Sequence, residues 1–216
     1  MSRTILGLPP REEPARPAAC IAGLGNPGEA YHETRHNIGF RVIERLAVEL
    51  KARAPLPRIN HSLSEAEIDG ARIQLIRPWT YMNLSGAAVR LALDFDELDP
   101  TRLLVICDDI SLPLGALRLR RNGSGGGQRG LESIIEALGT DEFARLRCGV
   151  GPVPHGIDAA DFVLSGFLAG EQDLSSSMIS LASEAVRCAL LEGIDRAMNL
   201  YNGRSIQTPD SRPSPE

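Results

Sequence analysis

Apolar and polar residues change rhythm along this chain at regular intervals, and the changes predict strands alternating with helices. Ala18-Ala19-Cys20-Ile21-Ala22 is a short apolar run that reads as a buried strand. Ile43, Leu46, Ala47 and Leu50 recur at helical spacing, which predicts an amphipathic helix over 38–50. Residues 72–77 (RIQLIR) alternate as a strand does and stop at Pro78. Leu103 to Cys107 (LLVIC) is continuously apolar, the pattern of a central strand buried on both faces. Residues 116–121 (ALRLRR) alternate again and fit an edge strand, and residues 143–150 (FARLRCGV) fit a further strand. Helices are predicted over 85–93, 131–138 and 175–192, the last with Met178, Ala182, Ala185 and Ala189 on one stripe. Residues 51–62, basic and Pro-rich, read as loop. The sum is an α/β fold: a single globule with a mixed, mostly parallel twisted sheet flanked by helices.

The ends read differently from the middle. Residues 1–17 are rich in Pro, Arg and Glu and are expected to form a disordered N-terminal extension; residues 203–216 are expected to be a disordered tail. The domain is placed at 18–202. At 43% hydrophobic, the 216-residue chain can bury a proper core. No run of about 18 consecutive apolar residues is present, so no membrane span is expected, and the N-terminus lacks a secretory pattern. The expected location is the cytoplasm. The four cysteines (Cys20, Cys107, Cys148, Cys188) sit far apart in apolar runs and read as reduced core residues, and no Cys/His cluster has metal-ligand spacing. The net charge of −5 argues against a protein that coats nucleic acid. Distribution changes that picture locally: Arg118, Arg120, Arg121 and Arg129 fall in a stretch without an acid, followed by Arg145 and Arg147.

In open α/β sheets, ligands bind beyond the carboxyl ends of the strands. Four polar loops follow the predicted strands: Gly23–Asn37, Pro78–Gly86, Asp108–Gly115 and Asn122–Gly130. They are expected to converge on one rim. Gly23, Gly25 and Gly28 satisfy G-x-G-x-x-G, but a nicotinamide-dependent oxidoreductase is a poor fit. Pro27 interrupts the motif, Glu29 to Asn37 is polar with no helical stripe, and no strand ending in an acid follows about 20 residues on.

The chemistry in these loops is that of an activated water. His36 is a candidate base, Asp108 and Asp109 are candidate carboxylates to orient it, and Asn26, Asn37 and Asn83 offer neutral amides for a carbonyl or oxyanion. No serine or cysteine stands in a nucleophile elbow. Each residue also has a purely structural reading. His36-Asn37, Asp108 and Asn83 or Ser85 can serve as helix caps, and the glycine-rich loop can be a flexible hairpin.

Five segments together resemble the ordered motif series of bacterial peptidyl-tRNA hydrolases. They are GLGNPGEAYHETRHNIGF from Gly23, YMNLSG from Tyr81, VICDDISLPLG from Val105, GSGGGQRGLESI from Gly123, and DFVLS from Asp161. The resemblance spans about residues 18–202. It implies a cofactor-free, metal-independent hydrolase, a monomer, that cleaves the ester between a peptide and the 3′ ribose of tRNA and so recycles tRNA. By position, it implies His36 as the base and Asp108 as the carboxylate supporting it. Asn26 matches the residue that discriminates peptidyl from aminoacyl ester, and Asn83 the amide near the scissile bond. Tyr31 and Tyr81 match substrate contacts. The fourth loop departs from the pattern: where Gly-Gly-His-Asn-Gly is common, this chain has Gly126-Gly127-Gln128-Arg129-Gly130. Arg129 only donates and carries charge, so it is expected to grip substrate or a tRNA phosphate. Ser111 stands where an acid is common, and Pro152 where an arginine is. The alternative is a catalytically weak tRNA- or RNA-binding module on the same fold, as in plant organelle splicing factors.

Overall fold

The computed structural model describes residues 17–204 and 206, so the expectations for the two termini fall almost wholly outside the described residues. In chain order the elements are β1 Ala19–Gly23, α1 Ile38–Glu49, β2 Leu56–Pro57, β3 His61–Ile68, β4 Ala71–Pro78, α2 Ser85–Phe95, β5 Leu103–Pro113, β6 Leu117–Arg120, α3 Arg129–Leu138, β7 Ala144–Gly151, α4 Ala159–Val163, α5 Gln172–Glu192 and α6 Ile194–Tyr201. The strands form one seven-stranded sheet in the order β2-β3-β4-β1-β5-β7-β6. β1 pairs in parallel with β4 and β5, and β5 with β7. The pairs outside this centre, β3 on β4, β2 on β3 and β6 on β7, are antiparallel. The architecture is therefore the expected α/β globule with a mixed sheet whose core is parallel.

The continuous apolar run in β5 is explained by helices on both faces. Leu104 and Ile106 pack with Ile21 and Leu75 beneath Val42 and Leu46 of α1 and Met178, Ala182 and Val186 of α5. Leu103, Val105 and Cys107 point the other way, beneath Val89, Ala92 and Leu93 of α2 and Leu131 and Ile134 of α3. Each of the Val, Leu, Ile and Met side chains among these contributes about 1.5–3 kcal/mol by leaving water. Residues 169–192 are long and apolar enough to cross a membrane by length and composition. In this fold that stretch is a core element, with Met178, Ala182 and Ala185 fully buried.

Two expectations are corrected. The 51–62 region is not all loop: β2 occupies Leu56–Pro57, and β3 begins at His61. β3 escapes a pattern reading because Ser62 and Ser64 are buried along with Leu63 and Ala66, so polarity does not alternate with burial. Asp108–Gly115 is not a loop either. β5 runs on to Pro113 past an irregularity in its pairing with β7, where Pro113 sits opposite Gly151. Gly149 and Gly151 have no room for a Cβ against the backbone oxygens of Pro113 and Ile110, so glycine is what lets the strands stay this close. Helices α4 and α6 are additions that the apolar spacing did not indicate.

Candidate active site

The first loop is built by close approach. Leu24 N–H extends the β1–β5 ladder by donating to Ile106 O at 2.9 Å. A Cβ on Gly23 would strike Gly39 O, and one on Gly39 would strike Leu24 N and Ile106 O. The glycines therefore press the first turn of α1 against the ends of β1 and β5, and Gly28 is followed only by a three-residue 3-10 turn, Glu29–Tyr31, not by the α-helix a pyrophosphate site needs. Gly25 leaves room for the side chain of Asn37. Asn37 uses that room to hold Asn26: Asn26 N–H donates to Asn37 Oδ1 at 2.8 Å, and Asn37 Nδ2 donates to Asn26 O at 3.0 Å. Asn37 makes no side-chain cap on α1, so the capping reading of His36-Asn37 does not hold. Asn26 Oδ1 in turn accepts Met82 N–H at 2.8 Å, which fixes the amide and leaves its NH₂ as the group free to donate.

His36 lies in a short 3-10 turn, Arg35–Asn37. The turn is pinned to the segment carrying α4. Arg35 N–H donates to Ser165 O at 3.0 Å, Thr34 bridges to Gly166, and Arg35 Nη2 meets Glu171 at 2.7 Å. The buried Arg35 guanidinium lies between the rings of Phe162 and Phe167, 4.5 and 4.7 Å from their centroids. His36 Nδ1 is 2.9 Å from Asp108 Oδ2. An ionised carboxylate only accepts, so Nδ1 carries the proton and Nε2 is left as a base.

Asp108 is a strand residue of β5, 3% exposed, and caps nothing. Its second oxygen, Oδ1, accepts from Gln128 Nε2 at 3.0 Å. Asp109 serves the wall instead: it pairs with Arg147 at 3.2 Å and accepts both the backbone N–H and the hydroxyl of Ser111. Burial, and then the Asp108 carboxylate, push the Cys107 and Cys148 thiols well above their ordinary range, so both stay protonated.

The glycine-rich loop reaches this rim by a route that strand order alone does not predict. β6 runs antiparallel, with Arg120 opposite Arg145 near the start of β7, so it delivers the chain to the opposite rim. The loop then climbs back along β7. Arg145 binds the carbonyls of Gly123 and Ser124, and Arg147 binds those of Ser124 and Gly125, the last at 2.7 Å. Arg145 and Arg147 are thus loop anchors, whereas Arg118, Arg120, Arg121 and Arg129 remain exposed. Gln128 ends the loop, buried, and caps α3 by accepting Leu131 N–H at 2.8 Å.

The result is a cleft of about 460 Å³. It is lined by Asn26, His36, Tyr81, Asn83, Asp108 and Arg129 of the predicted set, with Ala160, Val163 and Leu164 on the α4 side. Tyr31 does not line it but meets Tyr81 edge-on, with centroids 6.5 Å apart and planes at 87°. Asn83 and Arg129 are exposed at its wall. Gln128, Met82, Arg147 and the α4 wall were not among the predicted site residues. Among the described residues, no group of three or more His, Cys, Asp or Glu side chains is placed to hold a metal ion.

The chain and its fold are similar to those of known proteins. The peptidyl-tRNA hydrolase family model matches residues 20–209. The peptidyl-tRNA hydrolase of Fervidobacterium nodosum is 46% identical over 188 residues, covering 87% of this chain and 98% of its own. That of Chloroflexus aggregans is 47% identical, covering 84% and 97%. A crystal structure of peptidyl-tRNA hydrolase from Acinetobacter baumannii superposes with a TM-score of 0.81 at 31% identity, covering 90% of this chain and 99% of that one. With a family match over most of its length and a cleft holding His36, Asp108 and Asn26, the chain belongs to the peptidyl-tRNA hydrolase family, whose members hydrolyse the ester joining peptide to tRNA.

Proposed function

We propose that this chain hydrolyses peptidyl-tRNA with His36 as general base and Asp108 as the group that orients it. The observation that carries the reading is the 2.9 Å contact between His36 Nδ1 and Asp108 Oδ2 in a cleft that also presents Asn26. His36 Nε2 takes a proton from water as the water oxygen bonds to the ester carbonyl carbon. The carbonyl oxygen gathers negative charge, and the Asn26 NH₂, aimed by the commitment of its Oδ1 to Met82 N–H, is the preorganised donor for it. The C–O bond to the ribose then breaks, and His36 returns the proton to the ribose oxygen. The products are a peptide carboxylic acid, which gives up its proton to solvent and becomes the carboxylate, and tRNA with a free 3′ hydroxyl. The protonated intermediate of His36 is stabilised by Asp108.

In the same proposal, Asn83 binds the acyl part near the scissile bond, and the Tyr31–Tyr81 pair supports substrate at the mouth. Arg129 grips a tRNA phosphate; Arg118 and Arg120 of β6 are also exposed, whereas Arg121 is paired with Asp195. Within this proposal the protein acts as a monomer on the acceptor end of tRNA in the cytoplasm, without a membrane partner or cofactor. A binding module without turnover is not favoured, since its distinguishing feature would be a lost base, and His36 and Asp108 are both in place.

The test is release of an N-blocked amino acid from N-blocked aminoacyl-tRNA. Release by the wild type that is lost in His36→Ala is expected. No release by the wild type, or undiminished release by the variant, refutes the proposal.

A further inference from the structure

We infer that Gln128 is a positioning residue for this reaction: its amide fixes the Asp108 carboxylate so that the remaining oxygen stays on His36 Nδ1. The inference rests on the hydrolase reading above and adds the residue through which the fold holds its catalytic pair. Gln128 is 8% exposed, and both ends of its amide are committed. Oε1 accepts Leu131 N–H at 2.8 Å, and Nε2 donates to Asp108 Oδ1 at 3.0 Å while lying 3.3 Å from the Met82 sulfur. A flipped amide would face a donor with a donor at Leu131 and an acceptor with an acceptor at Asp108, so only this orientation satisfies both.

The support behind Gln128 is rigid. Leu131 N–H is one of the donors that a helix start leaves without an internal partner, and Leu131 and Ile134 are fully buried. A Cβ on Gly130 would collide with Met82 Sδ and Leu24 Cδ1, so the start of α3 is seated directly on the floor of the site. A core helix thus holds Gln128, Gln128 holds one oxygen of Asp108, and the other oxygen holds His36. The amide is neutral and does not titrate, so it orients the carboxylate without competing for its charge. The nearby charges are otherwise accounted for: Asp109 is paired with Arg147, and Arg129 is exposed at the wall.

Two variants separate this role from that of the helix cap. Gln128→Glu keeps an oxygen for Leu131 N–H but offers Asp108 no amide donor. Gln128→Met has similar length and offers neither. Both are expected to lower kcat by about ten- to hundredfold, the range for a hydrogen bond to a charged group, with KM changed by less than about twofold. In an Asp108→Asn background, Gln128→Met is expected to cost much less, because the two residues act as one unit. Unchanged kcat in both variants, or additive losses, would overturn the inference. Should Gln128→Met fail to fold, Gln128→Glu, which keeps the cap, decides alone. A readout without substrate distinguishes this failure from failure of the hydrolase reading. The His36 Nδ1 nitrogen resonance is expected to move in both variants. An unmoved resonance refutes the role of Gln128 whatever the activity. A moved resonance in a protein whose wild type releases no blocked amino acid removes the hydrolase reading and leaves standing only the orientation of Asp108 and His36 by Gln128.

Discussion

Asn37 holds Asn26 by both of its backbone polar groups, accepting the N–H at 2.8 Å and donating to the carbonyl at 3.0 Å. Both residues are buried, and Asn37 directly follows His36 in the chain. One side chain therefore ties the Asn26 amide to the turn that carries His36. Asn37→Ala would leave two buried backbone groups unpaired, each costing about 1–3 kcal/mol. Chemical denaturation should show the stability loss, and the folded fraction should hydrolyse substrate more slowly because Asn26 is no longer aimed.

Arg129 is exposed at the cleft wall, at the start of α3. If it contacts a phosphate of the substrate, the logarithm of tRNA affinity should fall with the logarithm of salt more steeply in the wild type than in Arg129→Asn, by about one unit of slope. Binding titrations at several salt concentrations check this, and equal slopes would contradict a phosphate contact.

His61, at the start of β3, is 4% exposed, and burial together with the nearby Arg58 lowers its pKa below the ordinary 6.5. The folded protein thus refuses a proton that the unfolded chain accepts. Its contribution is constant above pH 6.5 and is lost as pH falls below that value, until the folded pKa is passed. The slope from one such group is at most about 1.4 kcal/mol per pH unit. Urea unfolding of wild type and His61→Gln between pH 5 and 8 should show the wild type losing more stability on the acid side, and parallel curves would contradict it.

The parts of this fold that are legible in the residues are those set by local pattern. LLVIC in β5 is apolar throughout because α1 and α5 cover one face and α2 and α3 the other. That His36, Asp108 and Asn26 meet in one cleft is legible because polar residues that follow apolar strand runs in an α/β sheet gather at one rim. What could not be read depends on pairing between distant segments. The reversed direction of β6 is decided by its contact with β7, and only that direction sends the glycine loop back along Arg145 and Arg147. β3 is hidden by its buried serines. Gln128 looks like an ordinary loop amide and Asn37 like a further substrate amide, since their partners, Asp108 and Asn26, lie 20 and 11 residues away in the chain.

The most direct measurement is the rate of blocked aminoacyl-tRNA hydrolysis by wild type, His36→Ala and Asp108→Asn, under saturating substrate. His36 Nδ1 and Asp108 Oδ2 lie 2.9 Å apart, so removing either member should lower kcat by about 10²–10⁴-fold with the protein still folded and still binding tRNA. A variant lacking His36 that retains the wild-type kcat would contradict the account.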